Sequence, residues 1–390
     1  MAGEENLHQA AHALKPGARV LGYEIRRVLG VGGFGIVYEG YNRVLDHRAA
    51  IKEFFPVSMA VRVGDSVALR SQSDAEFYQR ILEKFEQSTT VLRKLDHPSI
   101  ARVHGYETAS NTGYMIMDFI EGEPLDALIA RSPAGLDTRT FEGVFKPVCA
   151  ALEYVHGKGV LHRDLKPGNI MIRKSDGAPV LIDFGALKQM MTDELANRTT
   201  IAVASPAYAP PEQLGFLDEE HRPSLDVYSL AATMYVAITG KEPMAARSRS
   251  AKQVSGVSDP YAPLAAVTVA NVRPALAKAI DHAMRFMPRE RPQSVREFME
   301  EIGWAGEEKS TIVAEVPKTK PLEKTVVPTT AGRAEQPVVI PGRNPTLAPS
   351  AGASRSWGGW LAGLAAVAAV AGGVAFLYRG SAPSSTATPT

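Results

Sequence analysis

The stretch GVGGFGIVY, Gly30 to Tyr38, restricts the possible folds more than any other in the chain. Gly30, Gly32 and Gly35 form a GxGxxG, a spacing shared by unrelated architectures. A dinucleotide-binding fold opens a helix after the third glycine. Here Ile36, Val37 and Tyr38 follow, and such β-branched and aromatic residues suit a strand. The pattern therefore predicts strand, glycine turn, strand. With no side chains in the way, the backbone amides of such a hairpin can lie over phosphates. The absence of repeated βαβ units argues in the same direction, against a nucleotide-dependent dehydrogenase.

Lys52 follows seventeen residues after Gly35, behind the strand-like run Ala49, Ala50 and Ile51. Alone it reads as a surface lysine with a packed stem. Beside a glycine hairpin it reads as a cation reaching the α- and β-phosphates of a nucleotide. Further on stands HRDLKPGN, His162 to Asn169, followed at once by the apolar Ile170 and Met171. Asp164 and Asn169 lie five residues apart, too irregular for one helix face and too polar for a strand core. A second acid, Asp183, sits in LIDFG at the end of the apolar run Val180, Leu181 and Ile182.

In this order and spacing, GVGGFGIVY, AAIK, HRDLKPGN and LIDFG resemble the signature set of the protein kinases. ASPAYAPPEQ (Ala204 to Gln213) resembles the end of an activation segment. LDVYSLAATMYVAITGKEP (Leu225 to Pro243) resembles the helix after it, and ERPQSVREF (Glu290 to Phe298) the final arginine motif. IKEFFP and an apolar C-terminal run give the chain the flavour of bacterial, membrane-anchored Ser/Thr kinases of the eukaryotic-like (Hanks) type. The resemblance implies an α+β, bilobal fold. An N-terminal tail, 1–22, precedes a kinase domain, 23–302. Within it an antiparallel-sheet lobe, 23–117, leads to a mainly helical lobe, 118–302.

Roles follow from the same resemblance. Asp164 accepts a hydrogen bond from the attacking hydroxyl and later its proton. Lys166, the mark of a Ser/Thr kinase, approaches the γ-phosphate, and Lys52 binds the other two. Asn169 and Asp183 hold Mg²⁺, with Mn²⁺ as the alternative ion. ATP is bound by Leu29, Gly30, Gly32, Gly33 and Gly35, and its ring is sandwiched by Val37, Ala50 and Met171. Met117 stands at the back of the pocket, Asp118 and Ile120 offer backbone groups to the base, and Glu123 reaches the ribose. His162 is a packing residue rather than a base. Phe184 packs under the helix that follows the lysine strand. Glu212 and Arg291 form a buried ion pair, and Asp226 is structural. Arg163 awaits a phosphate on the activation segment, expected at Thr199 or Thr200 through autophosphorylation. Ser205 stands where the family has a threonine contacting Asp164 and Lys166.

The pattern breaks at Ser88, in KFEQSTTVLRKL, where the family places a glutamate that pairs with the lysine. Serine cannot neutralise Lys52. Either a rotated helix brings Glu83 or Glu86 to it, or Asp183 alone anchors it, or the chain is a weak enzyme or scaffold. The expected function is γ-phosphate transfer to Ser and Thr hydroxyls of proteins, itself included. The alternative is a membrane-tethered pseudokinase that binds nucleotide and recruits partners.

Composition bounds the rest. A net charge of +1 without blocks of like charge gives no nucleic-acid footprint. The single cysteine, Cys149, lies in an apolar helical pattern and reads as a small buried residue. Residues 303–356 are rich in proline and threonine, among them Pro317, Pro328, Thr329 and Pro341, which predicts a disordered linker. Residues 357–378, Trp357 to Tyr378, carry no charge and as a helix would span about 33 Å, enough for a bilayer core. Lys318, Lys320, Lys324, Arg333, Arg343 and Arg355 precede that run and only Arg379 follows it. This bias places the kinase domain in the cytoplasm, anchored in the cell (inner) membrane by a single pass, and the short tail 379–390 outside. Gly359 and Gly363 form a GxxxG pair of the kind that lets two such helices pack, which makes a homodimer one option.

Overall fold

The computed structural model describes residues 12–185, 207–254, 259–266 and 272–305. The expected sites at Thr199, Thr200 and Ser205, the linker beyond 305, the apolar run 357–378 and the tail 379–390 lie outside these residues. Among the described residues no helix is long and apolar enough to cross a membrane.

The glycine stretch forms the predicted hairpin. β2 (Tyr23–Gly32) and β3 (Gly35–Asn42) pair antiparallel, with Gly32 opposite Gly35. They belong to an antiparallel sheet of β1 (Arg19–Val20), β2, β3, β4 (His47–Phe54), β8 (Thr112–Asp118) and β7 (Val103–Ala109), in that order. The pleat separates the residues of β4. Lys52 pairs with Val37 and Met115 on one face, whereas Glu53 pairs with Ile36 and Tyr114 on the other. Helix α1 (Ala75–Leu92) packs on the lysine side. Its apolar residues recur at helical spacing, and Phe77, Ile81, Phe85 and Leu92 are buried. Phe85 stacks on Phe54 of β4, with centroids 5.7 Å apart.

Two features enlarge this lobe. A separate two-stranded ribbon, β5 (Ala60–Val63) and β6 (Ser66–Leu69), is inserted between β4 and α1. The segment expected as a tail before residue 23 is also partly built into the sheet. Arg19 pairs with Glu24, Leu14 and Val20 are buried, and the Leu14 N–H donates to Tyr38 Oη at 3.1 Å. The reason is that the face of β4 away from Lys52 is apolar, through Ile36, Tyr38 and Ile51, and needs cover.

After β8 the chain passes through β9 (Gly122–Pro124) and the short α2 (Leu125–Ala130) into the helical lobe. In α3 (Thr138–His156), Asp137 caps the start by accepting from the Thr140 N–H at 3.0 Å. Cys149 is fully buried on this helix, and burial pushes its thiol pKa up. β10 (Ile170–Arg173) pairs antiparallel with β9 on one side and with β11 (Pro179–Leu181) on the other, in a small sheet that carries the two acid-bearing loops. α4 (Pro223–Thr239) is apolar nearly all round and lies in the centre of the lobe. α5 (Ala246–Val254), α6 (Pro274–Ala283) and α7 (Val295–Ile302) follow. Gly303, at φ 84°, ends α7, yet the fold continues past the expected boundary at 302. Trp304 is buried against Phe141, and its backbone N–H donates to Met299 O at 2.8 Å.

Candidate active site

The cleft between the sheet and the helical lobe gathers the expected charged groups. Lys52 of β4 forms an ion pair with Asp183, which follows β11. Asn169, on a turn before β10, donates through Nδ2 to Asp164 Oδ2 and to Asp164 O, both at 2.7 Å. That use of Nδ2 directs the amide oxygen of Asn169 elsewhere, as a metal ligand requires. Lys166 Nζ lies 3.5 Å from Asp164 Oδ2. The Ile182 N–H donates to Asn169 O at 3.0 Å, which fixes the two loops against each other.

Both loops pass through left-handed backbone at residues other than glycine, with φ 63° at Arg163 and 56° at Asp183. Asp226 of α4 holds the first. It is fully buried and accepts from the His162 N–H at 2.7 Å, the Arg163 N–H at 2.8 Å and His156 Nε2 at 2.8 Å. Burial alone would raise its pKa, but these bonds and the neighbouring histidines outweigh it and hold the carboxyl below its ordinary value. His162 is fully buried, its ring lies 4.6 Å from that of Phe184, and burial lowers its pKa, all consistent with packing rather than base chemistry. Gly185 is required where it stands: a Cβ there would lie 2.9 Å from Asp164 Cβ and 3.1 Å from the Arg163 carbonyl. Arg163 Nε is buried without a hydrogen-bond partner among the described residues.

The glycine turn lies over the same cleft. Its carbonyls are fastened to the chain after β4: the Phe55 N–H donates to Phe34 O at 3.0 Å and the Val57 N–H to Gly33 O at 3.1 Å. A Cβ at Gly35 would lie 2.5 Å from Glu53 O, whereas a Cβ at Gly30 or Gly33 would meet nothing within 4 Å. The turn thus packs tightly below and leaves an open cradle above. Val37 and Ala50 lie on neighbouring strands, Met171 on β10 and Leu29 exposed on β2. Met117 is buried and, with Met115, lines a cavity behind Lys52. The Asp118 N–H donates to Arg102 O at 2.9 Å, and its carboxylate accepts from the Arg102 N–H at 3.1 Å and from His104 Nε2 at 2.7 Å. Ile120 is half-buried in the connection beyond.

Glu123 lies on β9, and its carboxylate accepts from Arg131 in bonds of 2.5 and 2.6 Å, a pairing that lowers its pKa. Ser88 lies where the sequence places it. It lines the cavity with Lys52, Asp183, Phe85 and Phe184, and its hydroxyl donates to Phe85 O at 2.8 Å. Glu83 and Glu86 are exposed, and the carboxylate that Lys52 meets is that of Asp183. The structural pair forms as expected: Arg291 donates to Glu212 at 2.7 and 3.0 Å, both side chains buried. His156, the third partner of Asp226, escaped the sequence reading. Its one signal is its place at the end of an amphipathic helix six residues before His162.

The protein kinase domain profile matches residues 23–302. Serine/threonine-protein kinase PknA of Nostoc sp. is 30% identical over 292 residues, 72% of this chain and 46% of its own length. Serine/threonine-protein kinase PknA of Mycobacterium tuberculosis is 32% identical over 258 residues, 64% of this chain and 54% of its own length. The chain thus spans about half the length of these curated relatives. Among solved structures, the apo form of PpkA-294 is 33% identical, with a TM-score of 0.66 over 75% of this chain and 99% of that one. The PknI kinase domain of Mycobacterium tuberculosis is 25% identical, with a TM-score of 0.53 over 75% and 99%.

Proposed function

This chain belongs to the protein kinase family, and from that premise we propose that it is a serine/threonine kinase transferring the γ-phosphate of ATP to hydroxyls of protein substrates, itself among them. The observation that carries this reading is the convergence of Lys52, Asp164, Lys166, Asn169 and Asp183 on one cleft. ATP fits the open cradle above the glycine turn and the cation at Lys52. Among the described residues no cluster of three metal-binding side chains occurs. A carboxylate and an amide, Asp183 and Asn169, nevertheless suit Mg²⁺, which keeps several waters and takes phosphate oxygens as further ligands; Mn²⁺ accepts the same oxygens. The bound nucleotide would supply the phosphoryl group, with its charge offset by the metal. Asp164, oriented by Asn169, would align the acceptor hydroxyl and take its proton, while Lys52 and Lys166 would face developing negative charge. The test is transfer of labelled phosphate by the full chain with Mg²⁺ or Mn²⁺. Transfer that Asp164→Asn abolishes supports the reading. Nucleotide binding without transfer would instead favour the scaffold, the reading that Ser88 supports.

Anchoring in the membrane belongs to the same proposal. It is supported by the uncharged run 357–378, by Trp357, Trp360 and Tyr378 at its ends, and by the lysines and arginines before it. The kinase domain then lies on the cytoplasmic side of a Pro/Thr-rich tether, and the GxxxG pair allows dimerisation. Release of the chain from membranes by alkaline carbonate would refute the anchor. Autophosphorylation at Thr199 or Thr200 is read by phosphopeptide mapping, and its absence in an active enzyme would remove that part.

A further inference from the structure

Behind the catalytic lysine, on the opposite face of β4, lies a carboxylate with no part in that transfer. Glu53 is fully buried. Arg62 Nη1 donates to its Oε1 at 2.8 Å and Nη2 to its Oε2 at 2.5 Å. Tyr38 Oη donates to Oε2 at 2.7 Å and Tyr114 Oη to Oε1 at 2.8 Å. The donors stand on β3, β5 and β8. Arg62 is itself fixed, with its guanidinium 4.9 Å from the Phe55 ring and its Nε donating to His12 O at 2.9 Å. A buried carboxylate is tolerated only when its oxygens are met, and here each accepts two hydrogen bonds.

Its position in the chain gives this cluster leverage. Glu53 adjoins Lys52, and its own carbonyl is the group against which Gly35 must lie bare. Thr112 Oγ1 bonds to the next carbonyl, Phe54 O, and the two amides after that hold the glycine turn. Residues 52–57 therefore carry both the lysine and the floor of the phosphate cradle. On the lysine side α1 offers Ser88, whose hydroxyl is turned to its own helix backbone. Among the described residues, the carboxylate paired with Lys52 is that of Asp183. We propose that the Glu53–Arg62 pair and its two tyrosines position Lys52 and the glycine turn, in the role that an ion pair with α1 would otherwise fill. This rests on the kinase reading. It makes the inserted β5–β6 ribbon, and the segment around His12, part of the catalytic geometry.

The test uses the full chain and reads KM for ATP, kcat and thermal midpoint separately. Arg62→Met keeps the stem over Phe55 and removes the fork. Should that variant fold poorly, the double variant Tyr38→Phe/Tyr114→Phe removes two donors while keeping charge and ring volume. In either, KM for ATP is expected to rise about tenfold, with a smaller change in kcat. Adding Ser88→Glu should recover most of that loss, because a new carboxylate on α1 restores a grip on Lys52, without recovering the thermal midpoint. Rescue of this kind is non-additivity that a purely structural role cannot produce. Unchanged KM in the folded variants, or loss that Ser88→Glu leaves untouched, overturns the proposal. Wild-type protein that binds ATP without transferring phosphate defeats the kinase reading instead; the nucleotide dissociation constant then replaces KM, and the same rescue decides.

Discussion

Removal of Arg291 should unfold the helical lobe more readily than removal of its partner Glu212. The guanidinium makes four hydrogen bonds: two to Glu212, one from Nε to Arg285 O at 2.7 Å and one to Phe286 O at 2.7 Å. It also lies 4.7 Å from the Tyr228 ring. Arg291→Met leaves a buried carboxylate without its cation and two carbonyls without donors. Breaking a buried pair from one side costs about 3–5 kcal/mol, and this variant belongs at the upper end. Glu212→Leu leaves Arg291 with two carbonyls and an aromatic face, so about 3 kcal/mol is expected. The double variant Glu212→Leu/Arg291→Met strands only the carbonyls, at about 1–2 kcal/mol. For a domain of this size the Arg291→Met midpoint should fall on the order of 10 °C. Thermal unfolding followed by circular dichroism measures all three. The reasoning fails if either single variant stays within about 1 kcal/mol of the parent. It fails equally if the double variant is as unstable as the sum of the singles, because that would leave no charge penalty to relieve.

Three further outcomes follow from the site. Asp164→Asn should lower phosphate transfer by about 10²–10⁴-fold while ATP binding persists; a variant with near-parental transfer removes Asp164 from the chemistry. Gly35→Ala forces a Cβ to within 2.5 Å of Glu53 O and should cost about 1–3 kcal/mol of stability, whereas Gly33→Ala, in open space, should change it by less than about 0.5 kcal/mol and act on ATP affinity alone. Equal destabilisation by the two would contradict the packing described. Burial lowers the pKa of His162 and of His97, so below about 6.5 the unfolded chain binds more protons than the folded one. Stability should therefore be unaffected by these groups above that pH and fall as the pH drops through it, and His162→Phe should flatten the slope of midpoint against pH.

The parts of the site legible in the sequence are those whose geometry is local. Glycines at fixed offsets followed by β-branched residues define the hairpin, and a short polar loop between apolar strands delivers Asp164 and Asn169. Ser88 was placed correctly because helical register counts forward from Phe85, which is buried on the same helix. What escaped depends on contacts distant in sequence. Glu53 meets donors 15, 9 and 61 residues away, and their one sign in the sequence is an acid next to Lys52 in the run Ala49 to Phe55. Leu14 and Trp304 lie outside the recognisable motifs, and their burial reflects surfaces that the motifs leave uncovered. The pairing of Glu123 with Arg131, one short helix later, likewise shows only in the fold.

The polar groups beneath the cleft are more numerous than stability alone would ask, and the backbone explains why. Arg163 and Asp183 both occupy the left-handed region, which costs a residue with a side chain on the order of 1–3 kcal/mol. Both conformations must be over-determined to persist. At Arg163, Asp226 takes the amide and Gln213 Nε2 donates to the carbonyl at 2.6 Å, so the peptide groups on both sides of the strained Cα are fixed. At Asp183, the side chain is drawn to Lys52, and two residues later the Gly185 N–H returns to His162 O at 2.7 Å. The two strained residues are thereby braced through the same histidine, whose amide also belongs to Asp226. Lys52 completes this arrangement from the other lobe, and with Ser88 on α1 its own placement falls to β4. A chain that relaxed either turn would keep most of its core but would move the Asp164 carboxylate away from that of Asp183.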